Sequence, residues 1–284
     1  MIPLCIAHRG ASVEAPENTL RAFQRALELG VDGIELDVQV TRDGIPVVFH
    51  DFTLTRLTGT RGRLADRTWA ELQKLRVRGE PIPTLAETLS LTRKRALVQI
   101  EIKKGAPLAP ILAAIRKTAS TKYVILASFE PDILRQAATL APKLPRMLIA
   151  DPRHLTTLLR PIRQAQGYEG HGTKGTKVGT SVIGHRALDI WHSPPAIGHR
   201  ASVIGHSPSA LKLLQAMMAV GADGLSLCHE TITTSLFVET IHRHGAQLWC
   251  WTVNDARTMK RLRDYGVNAI LTDNPSKLIK TLHA

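Results

Sequence analysis

The chain has 284 residues, of which 44% are hydrophobic and 21% charged, an ordinary globular mixture long enough for a substantial core, which argues against disorder of the whole chain. Its formal net charge is +13. The basic residues are spread over many segments rather than gathered in one run, so the charge suits phosphate esters or acidic headgroups better than nucleic acid.

The N-terminal MIPLCIAHRG is apolar but very short, and it meets His8 and Arg9 without a basic leader. It reads as a buried first strand at 4–7 rather than a secretory signal, and a cytoplasmic location is expected. No apolar run approaches the roughly 20 residues that span a bilayer. A helix-period pattern follows at 19–29, then a strand at 33–37. Residues 41–83 break the alternation: a small strand at 45–49, a Thr/Arg/Gly-rich piece, and the string PIPTLAE. Further strands are expected at 97–102, 123–127, 146–150, 224–227, 248–252 and 269–272. Helical patterns at 108–118, 132–140, 210–220, 234–244 and 256–265 lie between them. Eight such strands favour a (β/α)8 barrel, in which closure leaves no exposed edge, as one domain over 1–284.

A second break runs from 164 to 208, between the fifth and sixth barrel strands. It is rich in Gly, His, Thr and Ser, and repeats SVIGH at 181–185 and 202–206 and GHRA at 184–187 and 198–201. So short a repeat buries little surface and reads as an irregular insertion, not a domain. His171, His185, His192, His199 and His206 in it match no metal-site spacing and read as solvated loop residues. Cys5, Cys228 and Cys250 are sparse, odd in number and flanked by apolar residues, which suits small core residues in a reducing compartment.

In a barrel the strand C-termini form the active face. Glu35 and Asp37 stand two apart on one strand, so their side chains share a side, and Glu101 ends the next barrel strand. Three clustered carboxylates resist joint ionisation without a cation, and their hard oxygens suit Ca²⁺, Mg²⁺ or Mn²⁺. The other possibility is that the acidic pair points outward to helix lysines. His8 and His50 both follow strands on this face and can move protons near neutral pH, although each alone could be a hydrogen-bonded structural residue. Arg9 and Lys103 could grip a phosphate or simply neutralise Glu35 and Glu101.

These residues resemble the glycerophosphodiester phosphodiesterase family. The likeness runs in order through His8-Arg9-Gly10, Glu17-Asn18-Thr19, Gly33-Ile34-Glu35-Leu36-Asp37-Val38, Thr41-Arg42-Asp43-Gly44 and His50-Asp51. It continues with Arg56, Thr58, Pro83-Thr84-Leu85, Glu101-Ile102-Lys103, Ser128-Phe129, Trp251-Thr252-Val253-Asn254 and Thr272-Asp273. The resemblance implies a barrel with a small insertion between the second and third strands, matching 41–83. It implies one divalent cation, usually Ca²⁺ or Mg²⁺, on Glu35, Asp37 and Glu101, with His8 and His50 as the acid–base pair. Arg9 and Lys103 would contact phosphate, Glu17 would orient a catalytic group or the substrate, and Phe129 and Trp251 would wall the glycerol or leaving group. The stretch 164–208 is longer than the family's usual link there.

The expected substrate is thus a small glycerophosphodiester, attacked either by the glycerol 2-hydroxyl through a cyclic phosphate or directly by water. Three other readings stand beside it: a phospholipase-D-type activity on lysophospholipids, a glycosidase working through paired carboxylates, and a non-catalytic anion-binding barrel.

Overall fold

The structure is a computed structural model that describes residues 2–152 and 206–283. Its parallel strands are β1 (Leu4–His8), β2 (Gly33–Val40), β6 (Leu97–Ile102), β7 (Val124–Ser128), β8 (Arg146–Ala150), β9 (Gly224–Cys228), β10 (Gln247–Trp251) and β11 (Ala269–Thr272). Each pairs in parallel with the next, and β11 pairs with β1 to close an eight-stranded barrel. The helices α1 (Leu20–Glu28), α4 (Leu85–Thr92), α5 (Leu108–Lys117), α6 (Pro131–Leu140), α7 (Pro208–Ala219), α8 (Ser235–Arg243), α9 (Ala256–Tyr265) and α10 (Pro275–His283) alternate with them.

The two-residue period of a strand sorts the barrel side chains into two cores. Leu4, Ile6, Leu97, Ile125, Met147, Ile149, Trp249 and Leu271 fill the inside. Ile34, Leu36, Val38, Ile100, Leu126, Leu148, Leu225 and Ile270 point outward into the shell of helices. Glu35, Asp37, Gln99, Glu101 and Ser226 are in phase with the inward set. The acidic pair therefore faces the barrel interior, and pairing with outer helix lysines is ruled out.

Helix starts follow capping chemistry. Thr19 accepts from the Ala22 amide at the head of α1, and Thr84 with Glu87 forms a reciprocal capping box at α4, each saturating amides that the first turn leaves bare. The 41–83 insertion holds β3 (Pro46–Val48), antiparallel to the end of β2, then α2 (Thr55–Thr58), a 3₁₀ turn at Leu64–Asp66, α3 (Trp69–Leu72) and the antiparallel pair β4 (Arg76–Val77) and β5 (Glu80–Pro81). It has its own core of Val47, Phe49, Leu54, Leu57, Leu64, Leu72, Val77 and Ile82.

Three expectations on extent change. The strand expected at 33–37 runs on to Val40, because Val38–Val40 pair with β3. Helices α4 and α10 stand where no helical pattern was assigned. The helix expected from 210 starts at Pro208, capped by Ser207. Most of the irregular stretch expected at 164–208, with His171, His185, His192 and His199, lies outside the described residues. His206 is described, and its ring meets that of His244 edge-on at 5.9 Å.

Candidate active site

A cavity of about 460 Å³ opens at the C-terminal ends of the barrel strands. His8, Arg9, Glu35, His50, Glu101, Lys103, Phe129 and Trp251 line it. Asp37 and Glu17 stand just behind that wall, each touching residues on it.

Glu35, Asp37 and Glu101 each place a carboxylate oxygen within 4.8 Å of the others'. Strand register makes this meeting: Asp37 lies opposite Glu101 across β2 and β6, and His8 opposite Glu35 across β1 and β2. Asn18 donates Nδ2–H to Asp37 Oδ2 at 2.7 Å and fixes that carboxylate from behind. Lys103 Nζ lies 2.7 Å from Asp37 Oδ1 and also bonds Glu101. Asp37, though buried, is held well below the usual carboxylate range by Lys103 and Arg9. Burial and the neighbouring charge of Asp37 push Glu35 up to about 8, and the same two causes raise Glu101. Lys103 and Arg9 favour the ionised form of Asp37, while burial and mutual repulsion disfavour the ionised forms of Glu35 and Glu101. A buried, all-oxygen set short of positive charge fits a hard divalent ion.

Both histidines are tethered through Nδ1. His8 donates Nδ1–H to Asp273 Oδ1 at 2.7 Å, and His50 donates to Asp51 Oδ1 at 2.7 Å. Burial would raise Asp273, but the bond and charge of His8 together with the bonds from Asn254 and Ser12 hold it at about 2; Asp51 sits at about 2 mainly through Arg56. Both carboxylates are thus pure acceptors, and the ring nitrogen that each imidazole does not commit to its carboxylate is Nε2. Burial alone would depress His8; the Asp273 bond and the Glu35 charge reverse this and raise it. The backbone under His50 is clamped by Gln39, whose Nε2 donates to the carbonyls of Phe49 at 2.9 Å and Asp51 at 2.7 Å.

Arg9 turns back over β2 with φ of +58°, and Gly10 follows at +84°. A Cβ on Gly10 would stand 2.7 Å from Ala22 of α1, so only glycine fits both the turn and the contact. Arg9 donates Nη1–H to Glu17 at 2.9 Å, and its Nε lies 3.3 Å from Asp37 Oδ2. Glu17 is held by two arginines, Arg9 and Arg56. The opposite wall is apolar, with Phe129 meeting Trp251 edge-on at 5.8 Å and Ile149 and Leu271 lining the same cavity.

Residues given no role from sequence also shape the site: Asp273, Asn18, Asp51, Arg56, Phe52, Gln99, Asp151 and Ser226. Asp273 follows the last barrel strand on the active face, and the strand-end rule would have found it. Gln99 and Ser226 carry the inward phase that marks Glu101. Among the described residues, no helix is long and apolar enough to cross a membrane.

The model of the glycerophosphoryl diester phosphodiesterase family matches residues 8–174 and 200–277. A glycerophosphodiester phosphodiesterase of Caldanaerobacter subterraneus subsp. tengcongensis is 34% identical over 295 aligned positions, covering 98% of this chain and 97% of that protein. The fold is similar to that of an Oleispira antarctica phosphodiesterase in complex with the product sn-glycerol-3-phosphate, with a TM-score of 0.74 at 22% identity over 100% of this chain and 98% of that one. It is also similar to the Thermotoga maritima glycerophosphodiester phosphodiesterase, with a TM-score of 0.68 at 22% identity over 98% and 97%. The family match over most of the chain and a full-length relative at this identity place the protein: it belongs to the glycerophosphoryl diester phosphodiesterase family and is a phosphoric diester hydrolase.

Proposed function

We propose that this hydrolase releases glycerol 3-phosphate and an alcohol from small glycerophosphodiesters, with His8 and His50 as the acid–base pair and one divalent cation, Ca²⁺ or Mg²⁺ and less favoured Mn²⁺, on Glu35, Asp37 and Glu101. The observation that carries the reading is the pairing of two Nδ1-tethered imidazoles with an interior triad of carboxylates on one cavity. When bound, the cation supplies charge neutralisation and Lewis-acid polarisation of the phosphate.

The chain's own groups do the rest. Arg9 and Lys103 set positive charge against the phosphate oxygens, where charge grows in the transition state. One histidine takes the proton from the attacking oxygen through Nε2 as the new P–O bond forms. The other gives its proton to the departing alcohol oxygen as the old P–O bond breaks. If the attacker is the glycerol 2-hydroxyl, a cyclic phosphate forms, and water opens it with the two histidines exchanging roles. If water attacks first, a single displacement suffices. Glu17 holds Arg9 in place, and Phe129 and Trp251 face the glycerol or the leaving alcohol with an apolar surface.

Phe52 lines the cavity yet is 46% exposed, which gives a second reading: an apolar lip that accepts lysophospholipids. Turnover of glycerophosphocholine against lysophosphatidylcholine separates the two. The main test is release of glycerol 3-phosphate from several glycerophosphodiesters, with chelator and after Ca²⁺ or Mg²⁺ is restored. Loss with chelator, recovery with metal, and inactive but folded His8→Ala and His50→Ala variants are expected. Near-normal turnover by either variant would remove that residue from the pair.

A further inference from the structure

Arg56 lies outside the cavity lining, yet its guanidinium bonds two carboxylates that hold cavity residues. Its Nε donates to Asp51 Oδ2 at 2.6 Å and its Nη2 to Asp51 Oδ1 at 2.8 Å. On its other edge Nη1 donates to Glu17 Oε2 at 3.0 Å and Nη2 to Glu17 Oε1 at 2.9 Å. Each of these carboxylates holds a cavity residue: Asp51 accepts from His50 at 2.7 Å, and Glu17 accepts from Arg9 at 2.9 Å. One planar cation thus links His50 to Arg9, both of which line the cavity, through two carboxylates.

We infer that Arg56 is a positioning residue that fixes His50 and Arg9 relative to each other, acting through Asp51 and Glu17. The inference rests on the roles proposed for those two cavity residues. Exposed ion pairs ordinarily contribute little, but this pair is anchored at its base. Arg56 sits on the single turn of α2 between Leu54 and Leu57, both in the insertion's own core. The backbone beside it is pinned on both sides: Leu54 N–H donates to Gly62 O, and Leu64 N–H donates to Phe52 O. A guanidinium can serve two carboxylates through separate N–H groups at fixed angles, whereas an ammonium offers a single point charge. The small insertion therefore does more than cover the barrel: it delivers the clamp that sets two groups of the reaction centre.

The test compares Arg56→Lys, Arg56→Ala, Asp51→Asn, the double variant Arg56→Ala/Asp51→Asn and His50→Ala, all as full-length protein on one glycerophosphodiester, with melting curves for each. Loss of a supporting neighbour of this kind costs about 10- to 100-fold in turnover. That loss is expected in Arg56→Lys as well, because charge alone does not restore the fork. Millimolar guanidinium should recover part of the activity of Arg56→Ala and none of that of Asp51→Asn. The double variant should be no worse than its poorer parent. Near-normal turnover by Arg56→Lys, no rescue by guanidinium, or additive losses would each overturn the inference. An active His50→Ala would instead overturn the proposed acid–base pair, whatever Arg56 does.

Discussion

Asp273 accepts the Nδ1–H of His8 at 2.7 Å, so a residue from the last barrel strand's end orients the imidazole of the first. Ser12 also donates to the same Oδ1, and Asn254 donates to Oδ2 at 2.7 Å, so the carboxylate cannot swing away. Asp273→Asn would keep the shape and remove the charge. The amide can turn its NH₂ toward Nδ1 and favour the wrong tautomer, putting the ring proton on Nε2. Turnover should fall on the order of 10²- to 10⁴-fold, the range for losing a well-set general acid or base. Melting temperature should change far less. Steady-state kinetics with circular dichroism melts check both, and an active Asp273→Asn would show that His8 needs no acceptor.

The carboxylate triad gives a second expectation. Glu101→Gln keeps the volume and hydrogen-bonding reach of its side chain but removes one anionic oxygen donor. Calorimetric titration with Ca²⁺ or Mg²⁺ should show affinity reduced by more than the roughly 10- to 100-fold that an outer neighbour costs. If Lys103 and Arg9 were sufficient counter-ions by themselves, the wild-type protein would take up no divalent ion, and chelator would leave turnover unchanged.

Gly10 tests the geometry of the loop that carries Arg9. Its φ of +84° and the 2.7 Å approach to Ala22 leave no room for a methyl group. Gly10→Ala should cost about 2–4 kcal/mol from backbone strain and overpacking together. That corresponds to several degrees of melting temperature in a domain of this size. Turnover should fall too, since α1 and the Arg9 loop must move apart. An unchanged melting curve would mean that the loop relaxes freely.

Much of this arrangement is legible in the sequence because it follows the two-residue period. Glu35, Asp37 and Glu101 are polar residues at inward positions of apolar strands, which burial does not tolerate without a reason. His8 and His50 stand after strands, where the barrel rule looks for chemistry. Glu17 and Arg56 are different. They meet across 39 residues, and nothing local in either segment announces the other. The elements of 41–83 are too short to display a period: α2 and α3 have four residues each. Helix α4 hid behind PIPTLAE, although Thr84 and Glu87 spell out its capping box. Strand β2 outran its expected end because its last residues depend on a hairpin partner, a tertiary contact that residues 33–37 do not encode.

The Asp51–Arg56 pair also makes a prediction about acid. Arg56 donates two hydrogen bonds to Asp51, and the carboxyl sits at about 2 rather than at the ordinary aspartate value of 3.8. A folded-state pKa below the unfolded one means that the unfolded chain binds the proton more tightly. The stability that this group contributes is therefore fully present above about pH 4 and is lost as pH falls through about 2. Thermal melts of the wild type and of Asp51→Asn across pH 2 to 6 should differ most at the upper end and converge toward the lower. A gap that stayed constant or widened on acidification would mean that the pair does not hold Asp51 ionised, and the tether on His50 would lose its charge.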